Sequence, residues 1–270
     1  MRDFEKTFKT VKEHYEESLQ YFWEDQIVGI FLHGSQNYGL DTEKSDVDTK
    51  LIVAPSFADI AMGKKMVSTT HVRANNEHID FKDIRLYMQT FRKQNLNFLE
   101  ILFSKCGLVN PLYQNEWKRL LDNREAIAHM NPYLAVKSMH GVAENKFAGM
   151  EKDTPAHHEN ILKFGYDPKE LHHLLRVEDY IQQYVRGETY EKCLQPTFPD
   201  FLVDVKMGLY PLAEAQRAGT SAIKHIREIA DKFCDKTENK TNPEVEKLLD
   251  SVQYNIMKIA VEHELELKKK

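Results

Sequence analysis

The sequence is short of the features that tie a chain to an oxidising compartment or a membrane. Its three cysteines, Cys106, Cys193 and Cys234, lie far apart among 270 residues and form no Cys-x-x-Cys pair. An odd, scattered set of this kind argues against a disulfide scaffold and a structural zinc site, and points to a reducing, cytoplasmic setting. No apolar stretch approaches the ~20 residues needed to cross a bilayer, and the N-terminus "MRDFEKTFKTVKEHYEE" is charged throughout. Neither secretion nor membrane anchoring is therefore expected. Positive charge is not in excess either. With 37 Lys+Arg against 42 Asp+Glu, the net charge is -5, so no global basic field announces a nucleic-acid partner, and only a local patch is left for one. Internal repeats and low-complexity tracts are also missing.

What is present is a change of pattern along the chain. Phe4, Phe8, Val11, Tyr15, Leu19 and Phe22 recur at spacings of three and four, one apolar stripe on a helix. "QIVGIFLHG" is a branched apolar run closed by glycine, a buried strand entering a turn. "DVDTKLIV" follows as a second strand, and "MVSTTHV" and "EHIDF" flank the turn "RANN" as an antiparallel pair. Asp83 can cap the helix beginning "IRLYMQTFRK". Beyond it the chain reads as helix: one from Pro111 through "REAIAHM", one from Asn131-Pro132, one from near Pro168 to a stop at Gly187, and a last one after the connector "KTENKTNPE". "LQPTFPDF" reads as a loop. The expected fold is α+β, a small mixed sheet with flanking helices over residues 1–105 and an all-α region over residues 106–270.

Within this frame the segment "FLHGSQNYGLDTEKSDVDTKLIV" stands out. Side chains alternate along a strand, so Asp46 and Asp48 point the same way with Val47 opposite. Two like charges a few ångströms apart repel unless a cation lies between them, and Mg²⁺, which takes few carboxylates plus water and phosphate oxygens, answers that need. Gly34 lets backbone approach a phosphate, and Ser35 with the following amides can donate to its oxygens. Either motif alone is commonplace. The demanding feature is their order: apolar strand, Gly-Ser, ten residues, then Asp-x-Asp entering a second apolar strand.

That order resembles the signature of the polymerase-beta-type nucleotidyltransferase superfamily. "GSQNYGLDTEKSDVDTKLI" is more particularly similar to predicted bacterial and phage nucleotidyltransferases that carry Gly-Ser-x-x-Tyr-Gly-Leu before Ser-Asp-x-Asp. "DFKDIRLYMQTFRKQNLNFLEILFS" and "FGYDPKELHHLLR" resemble two further blocks of that group, so the likeness covers both halves of the chain. His33 departs from it, standing where an apolar residue commonly precedes the Gly-Ser.

The resemblance implies a nucleotidyltransferase core followed by a helical region that completes the cleft. It implies a reaction using Mg²⁺ (or Mn²⁺) and a nucleoside triphosphate, in which an acceptor hydroxyl attacks the α-phosphate and pyrophosphate leaves. It also implies a third carboxylate on a neighbouring strand. Asp80 in "HIDF" matches, with Glu77 and Asp83 competing; Asp83 is already explained as a cap and Glu77 lies near the turn. Asp46 and Asp48 would then hold two metal ions, with Asp80 completing one site and able to take the proton.

On a helix from Lys169, Lys169, His173, Arg176 and Tyr180 fall on the face opposite Leu171, Leu174, Leu175, Ile181 and Val185. Such a stripe suits contacts to a triphosphate and its base, although any surface helix shows a polar face. Asn95, Asn97 and Glu100 are as readily backbone-satisfying residues as site residues. The paired histidines at 157–158 and 172–173 lack partners at ligand spacing, so zinc is not expected. Acceptor candidates are an RNA terminus, a protein hydroxyl and a small molecule, and no membrane partner is expected. The competing expectation is a nucleotide-binding or antitoxin-like module of the same fold that turns little over.

Overall fold

A computed structural model of the protein describes residues 4–42 and 45–267. Helix α1 (Phe4–Ser18) buries Val11 and, beside it, the polar Thr7, His14 and Ser18. His14 is satisfied at both nitrogens, Nδ1 lying 2.9 Å from Thr49 Oγ1 and Nε2 3.1 Å from Glu77 Oε2. The expected apolar stripe is divided. Phe8, Tyr15 and Phe22 pack with Val11 against the sheet, while Phe4 and Leu19 are exposed. The helix ends at Ser18, so Leu19 and Phe22 no longer follow its spacing.

The strands are β1 (Ile27–His33), β2 (Asp48–Val53), β3 (Ser68–Val72), β4 (His78–Asp83) and β5 (Gly107–Val109), with a helical turn α2 (Ser35–Tyr38) after β1 and α3 (Phe57–Ala61) after β2. Their order, β3-β4-β2-β1-β5, makes a mixed sheet: β1 is antiparallel to β2 and β5, β2 parallel to β4, and β3 antiparallel to β4. The edge strand β5 lies past residue 105, so the sheet reaches beyond the boundary expected for the core. Gly107 is needed there, since a Cβ would come within 2.6 Å of the Phe31 ring.

Asp83 caps α4 (Ile84–Arg92), accepting from the Arg85 amide at 2.8 Å and pairing with its guanidinium. The helix buries Ile84, Tyr87, Met88 and Phe91 at helical spacing, side chains worth about 1.5–3 kcal/mol each when fully buried. Then come α5 (Leu96–Leu99), a 3₁₀ turn over Glu100–Phe103, α6 (Gln114–Asp122) and α7 (Arg124–Ala128). The single helix expected from Pro111 is thus broken at Asn123, whose side chain bonds back to the Arg119 carbonyl at 2.9 Å.

Helix α8 (Pro132–Gly149) opens on the Asn131 cap, and α9 (His158–Phe164) leads to α10 (Pro168–Val185), capped by Asp167 and followed by Gly187 at φ 83°. After α11 (Tyr190–Cys193), Pro199 starts α12 (Pro199–Lys206) inside the segment expected as a loop, using proline's fitness for a first helical turn. Helices α8, α10 and α13 (Leu212–Cys234) pack together, and α14 (Pro243–Leu267) returns to α4 and α6. There Arg92 pairs with Glu246 and Asp250. One buried core therefore runs from Val28 of the sheet to Ala260 of α14. Among the described residues no helix is long and apolar enough to cross a membrane.

Candidate active site

The sheet end carrying the Gly-Ser turn faces α10 and α12 across a cavity of about 650 Å³. Gly34 sits at φ 89°, ψ -157°, a region side-chain-bearing residues avoid. A Cβ there would meet nothing within 4 Å, so backbone conformation rather than space demands glycine. The buried Asn37 fixes the turn, donating to the Leu32 carbonyl at 2.8 Å and accepting from the Lys105 amide at 3.3 Å. Ser35 lines the cavity, and its hydroxyl has no partner among the described residues.

Asp46 and Asp48 both line the cavity, with Val47 turned into the core, as alternation predicts. Asp48 faces His33 across the β1–β2 pair, and its Oδ1 accepts from the His78 amide at 3.0 Å and lies 3.1 Å from His78 Nδ1. Asp46 is exposed, and its carboxylate has no partner among the described residues. Asp80 is placed differently. It is the cross-strand neighbour of Lys50, with Oδ2 at 3.4 Å from Lys50 Nζ and Oδ1 accepting from the Thr70 hydroxyl at 2.6 Å. Lys50 lines the cavity and Asp80 does not. Of the competing acids, Glu77 is held by His14 and Arg73, and Asp83 by Arg85.

Lys50 is only 4% exposed, and its ammonium lies 4.3 Å from the centre of the Phe98 ring. Burial pulls its pKa down, against the attraction of Asp80. A second buried group sits at the turn. Glu100 accepts a hydrogen bond from the Gly34 amide, its Oε1 abuts His33 Nδ1, and its Oε2 is 3.8 Å from Arg176 Nη2. Burial pushes the Glu100 carboxyl up to about 8, despite the lowering pull of Arg176 and the Gly34 amide, and burial likewise holds His33 well below its ordinary value. His33 Nδ1 and Glu100 Oε1 are both buried without a hydrogen-bond partner among the described residues. His33, the departure from the resembled pattern, abuts this buried carboxyl. The Arg176 guanidinium also stacks 3.7 Å from the centre of the Tyr38 ring, so α10 meets the turn through both Glu100 and Tyr38.

The opposite wall comes from the helices. Lys169, His173 and Arg176 all line the cavity, whereas Tyr180 of the same stripe is buried among Tyr184 and Tyr190. The polar face of α10 is therefore divided between cavity and core. Lys146 joins the wall, paired with Glu170 at 2.8 Å, and so does His172, whose Nδ1 is 2.8 Å from the Leu202 carbonyl and whose pKa burial pushes down to about 4. Lys206 of α12 reaches across to the Leu40 carbonyl and Ser45 Oγ, both at 3.2 Å. A second hollow, of about 900 Å³ beside Trp23 and α14, holds none of the predicted residues.

Asp46 and Asp48 offer oxygen donors on one cavity wall, and the unpartnered Asp46 makes the pair fit one Mg²⁺ or Mn²⁺ with positions left for water and ligand oxygens. A second ion needs Asp80, both of whose oxygens are engaged. Among the described residues no cluster of three or more His, Cys, Asp or Glu side chains is arranged to hold a metal ion. Comparison of the chain with protein-family models finds no match, and comparison with curated proteins finds none either.

Proposed function

We propose that this cavity binds a nucleoside triphosphate and transfers its nucleoside monophosphate to an acceptor hydroxyl. The observation that carries the reading is convergence. The Gly34-Ser35 turn, the Asp46/Asp48 pair and the cations Lys169 and Arg176, drawn from both halves of the chain, line one cavity. Cations on one wall and a phosphate-compatible turn on the other suit a polyanion, and the two aspartates suit the hard cation that accompanies it.

In the reaction the acceptor oxygen attacks the α-phosphorus, a new O–P bond forms, and the α–β bridging bond breaks, its electrons leaving on pyrophosphate. Asp46 and Asp48 would hold the Mg²⁺ or Mn²⁺, which neutralises charge developing on the phosphate oxygens. Ser35 donates its hydroxyl to the phosphates. Arg176, held by Tyr38 and Glu100, presents its guanidinium to the leaving phosphates, and Lys169 adds charge at the rim. The acceptor proton passes to the exposed Asp46 carboxylate and on to water. Candidate acceptors remain an RNA terminus, a protein hydroxyl and a small molecule. The engagement of Asp80 with Lys50 favours a second reading, a nucleotide-binding or antitoxin-like module with weak turnover.

The test is incubation with each α-labelled nucleoside triphosphate and Mg²⁺ or Mn²⁺, adding bulk RNA, the protein alone, or a small-molecule extract. Label retained on an acceptor and lost in Asp48→Asn supports transfer. Triphosphate binding without retained label on any acceptor supports the binding module.

A further inference from the structure

We infer that Lys50 supplies, as part of the chain, the positive charge that a second metal ion would otherwise bring, so that the site takes a single divalent cation on Asp46 and Asp48. The inference rests on the proposed transfer reading, and it departs from the two-ion expectation at one residue. The β2–β4 pair is parallel and places Lys50 directly opposite Asp80, so the two side chains leave the sheet on the same face. Asp48, two residues before Lys50 on β2, shares that face. The Lys50 ammonium thus stands on the strand face that carries Asp48 and Asp80, where a second cation bridging them would have to sit.

Three features hold it there. The Asp80 carboxylate is 3.4 Å away and is itself fixed by the Thr70 hydroxyl at 2.6 Å. The Phe98 ring centre lies 4.3 Å from the ammonium, a cation–π contact. Exposure of only 4% leaves little room for the side chain to swing out to water. Lys82, 4.5 Å from the same ring, adds a second ammonium nearby. A divalent ion bound to Asp80 would therefore face at least one fixed positive charge at close range and would compete with Lys50 or Thr70 for the Asp80 oxygen it takes. Asp46, exposed and without a carboxylate partner among the described residues, carries no such obstacle. The proposal makes Lys50 a positioning residue that balances Asp48 and Asp80 and fixes the wall beside the reacting phosphate.

The test counts Mn²⁺ bound per chain, by electron paramagnetic resonance and equilibrium dialysis, in protein saturated with α,β-methylene ATP. One Mn²⁺ per wild-type chain and two per Lys50→Met chain are expected. Asp80→Asn, which keeps the shape and serves if Lys50→Met fails to fold, should leave the count at one and the affinity within about threefold. Two ions in the wild-type protein, one in a folded Lys50→Met, or a tenfold loss of affinity in Asp80→Asn would each overturn the inference. Absence of any bound Mn²⁺ in analogue-saturated wild-type protein would instead sink the metal-dependent reading beneath it.

Discussion

Replacing Glu100 by Gln should make the protein more stable, and increasingly so as pH rises. Gln keeps an acceptor for the Gly34 amide, but it never has to carry charge inside the core. Glu100 has a folded pKa of about 8 against an ordinary 4.5. The fold thus favours the protonated form. The stability this group permits is full below about 4.5 and is lost as pH climbs through the window up to about 8. Each pH unit in that window costs about 1.4 kcal/mol, so between pH 5 and pH 8 the wild-type protein gives up about 3–4 kcal/mol that the variant retains. Urea unfolding at pH 5, 6.5 and 8 measures this directly, because groups common to both proteins cancel in the difference. Near-equal stability at pH 5 and a variant about 3 kcal/mol ahead at pH 8 is the expected pattern. Glu100→Ala, by contrast, should lose about 1–3 kcal/mol at pH 5, where it strands the Gly34 amide. A Gln-minus-Glu difference that stays constant across pH would mean that burial does not raise the Glu100 pKa in the folded protein.

Three further outcomes follow from the geometry. Arg176→Ala should weaken ATP binding at least tenfold by calorimetry, since it removes a guanidinium seated on Tyr38, while exposed Lys169→Ala should cost about threefold; unchanged affinity in both would remove α10 from the site. Gly34→Ala should cost about 1–3 kcal/mol in thermal unfolding from backbone strain alone, at φ 89°, ψ -157° with open space around the new methyl; a change below about 0.3 kcal/mol would contradict that geometry. Lys206→Ala removes the ammonium from the Leu40 carbonyl and Ser45 Oγ, so exchange of the Thr42 amide, which donates to Ser45 Oγ at 2.9 Å, should speed up, and an unchanged exchange rate would mean that Lys206 does not steady Ser45.

Much of the sheet was legible because its signals are local. The branched run ending at Gly34, the alternation over Asp46, Val47 and Asp48, and the Asp83 cap each depend on neighbours in sequence. The face of α10 was legible for the same reason, as far as Lys169, His173 and Arg176. Periodicity could not tell that Tyr180, one turn further, meets the buried Tyr184 and Tyr190 rather than the cavity. His33 looked like an oddity because its neighbour, Glu100, comes from a 3₁₀ turn distant in sequence. Lys50 passed as a strand residue because its meaning lies in the register with Asp80, which propensity does not encode. The break at Asn123 and the start of α12 at Pro199 were hidden by residues that serve helix ends and helix interiors, or loops and first turns, alike.

The most direct measurement of the central claim is a crystal structure with α,β-methylene ATP and Mn²⁺, using manganese anomalous scattering to locate the ion. The account predicts triphosphate between the Gly34-Ser35 turn and Arg176, with manganese against Asp46 and Asp48. A triphosphate bound outside this cavity, or manganese away from both aspartates, would contradict it.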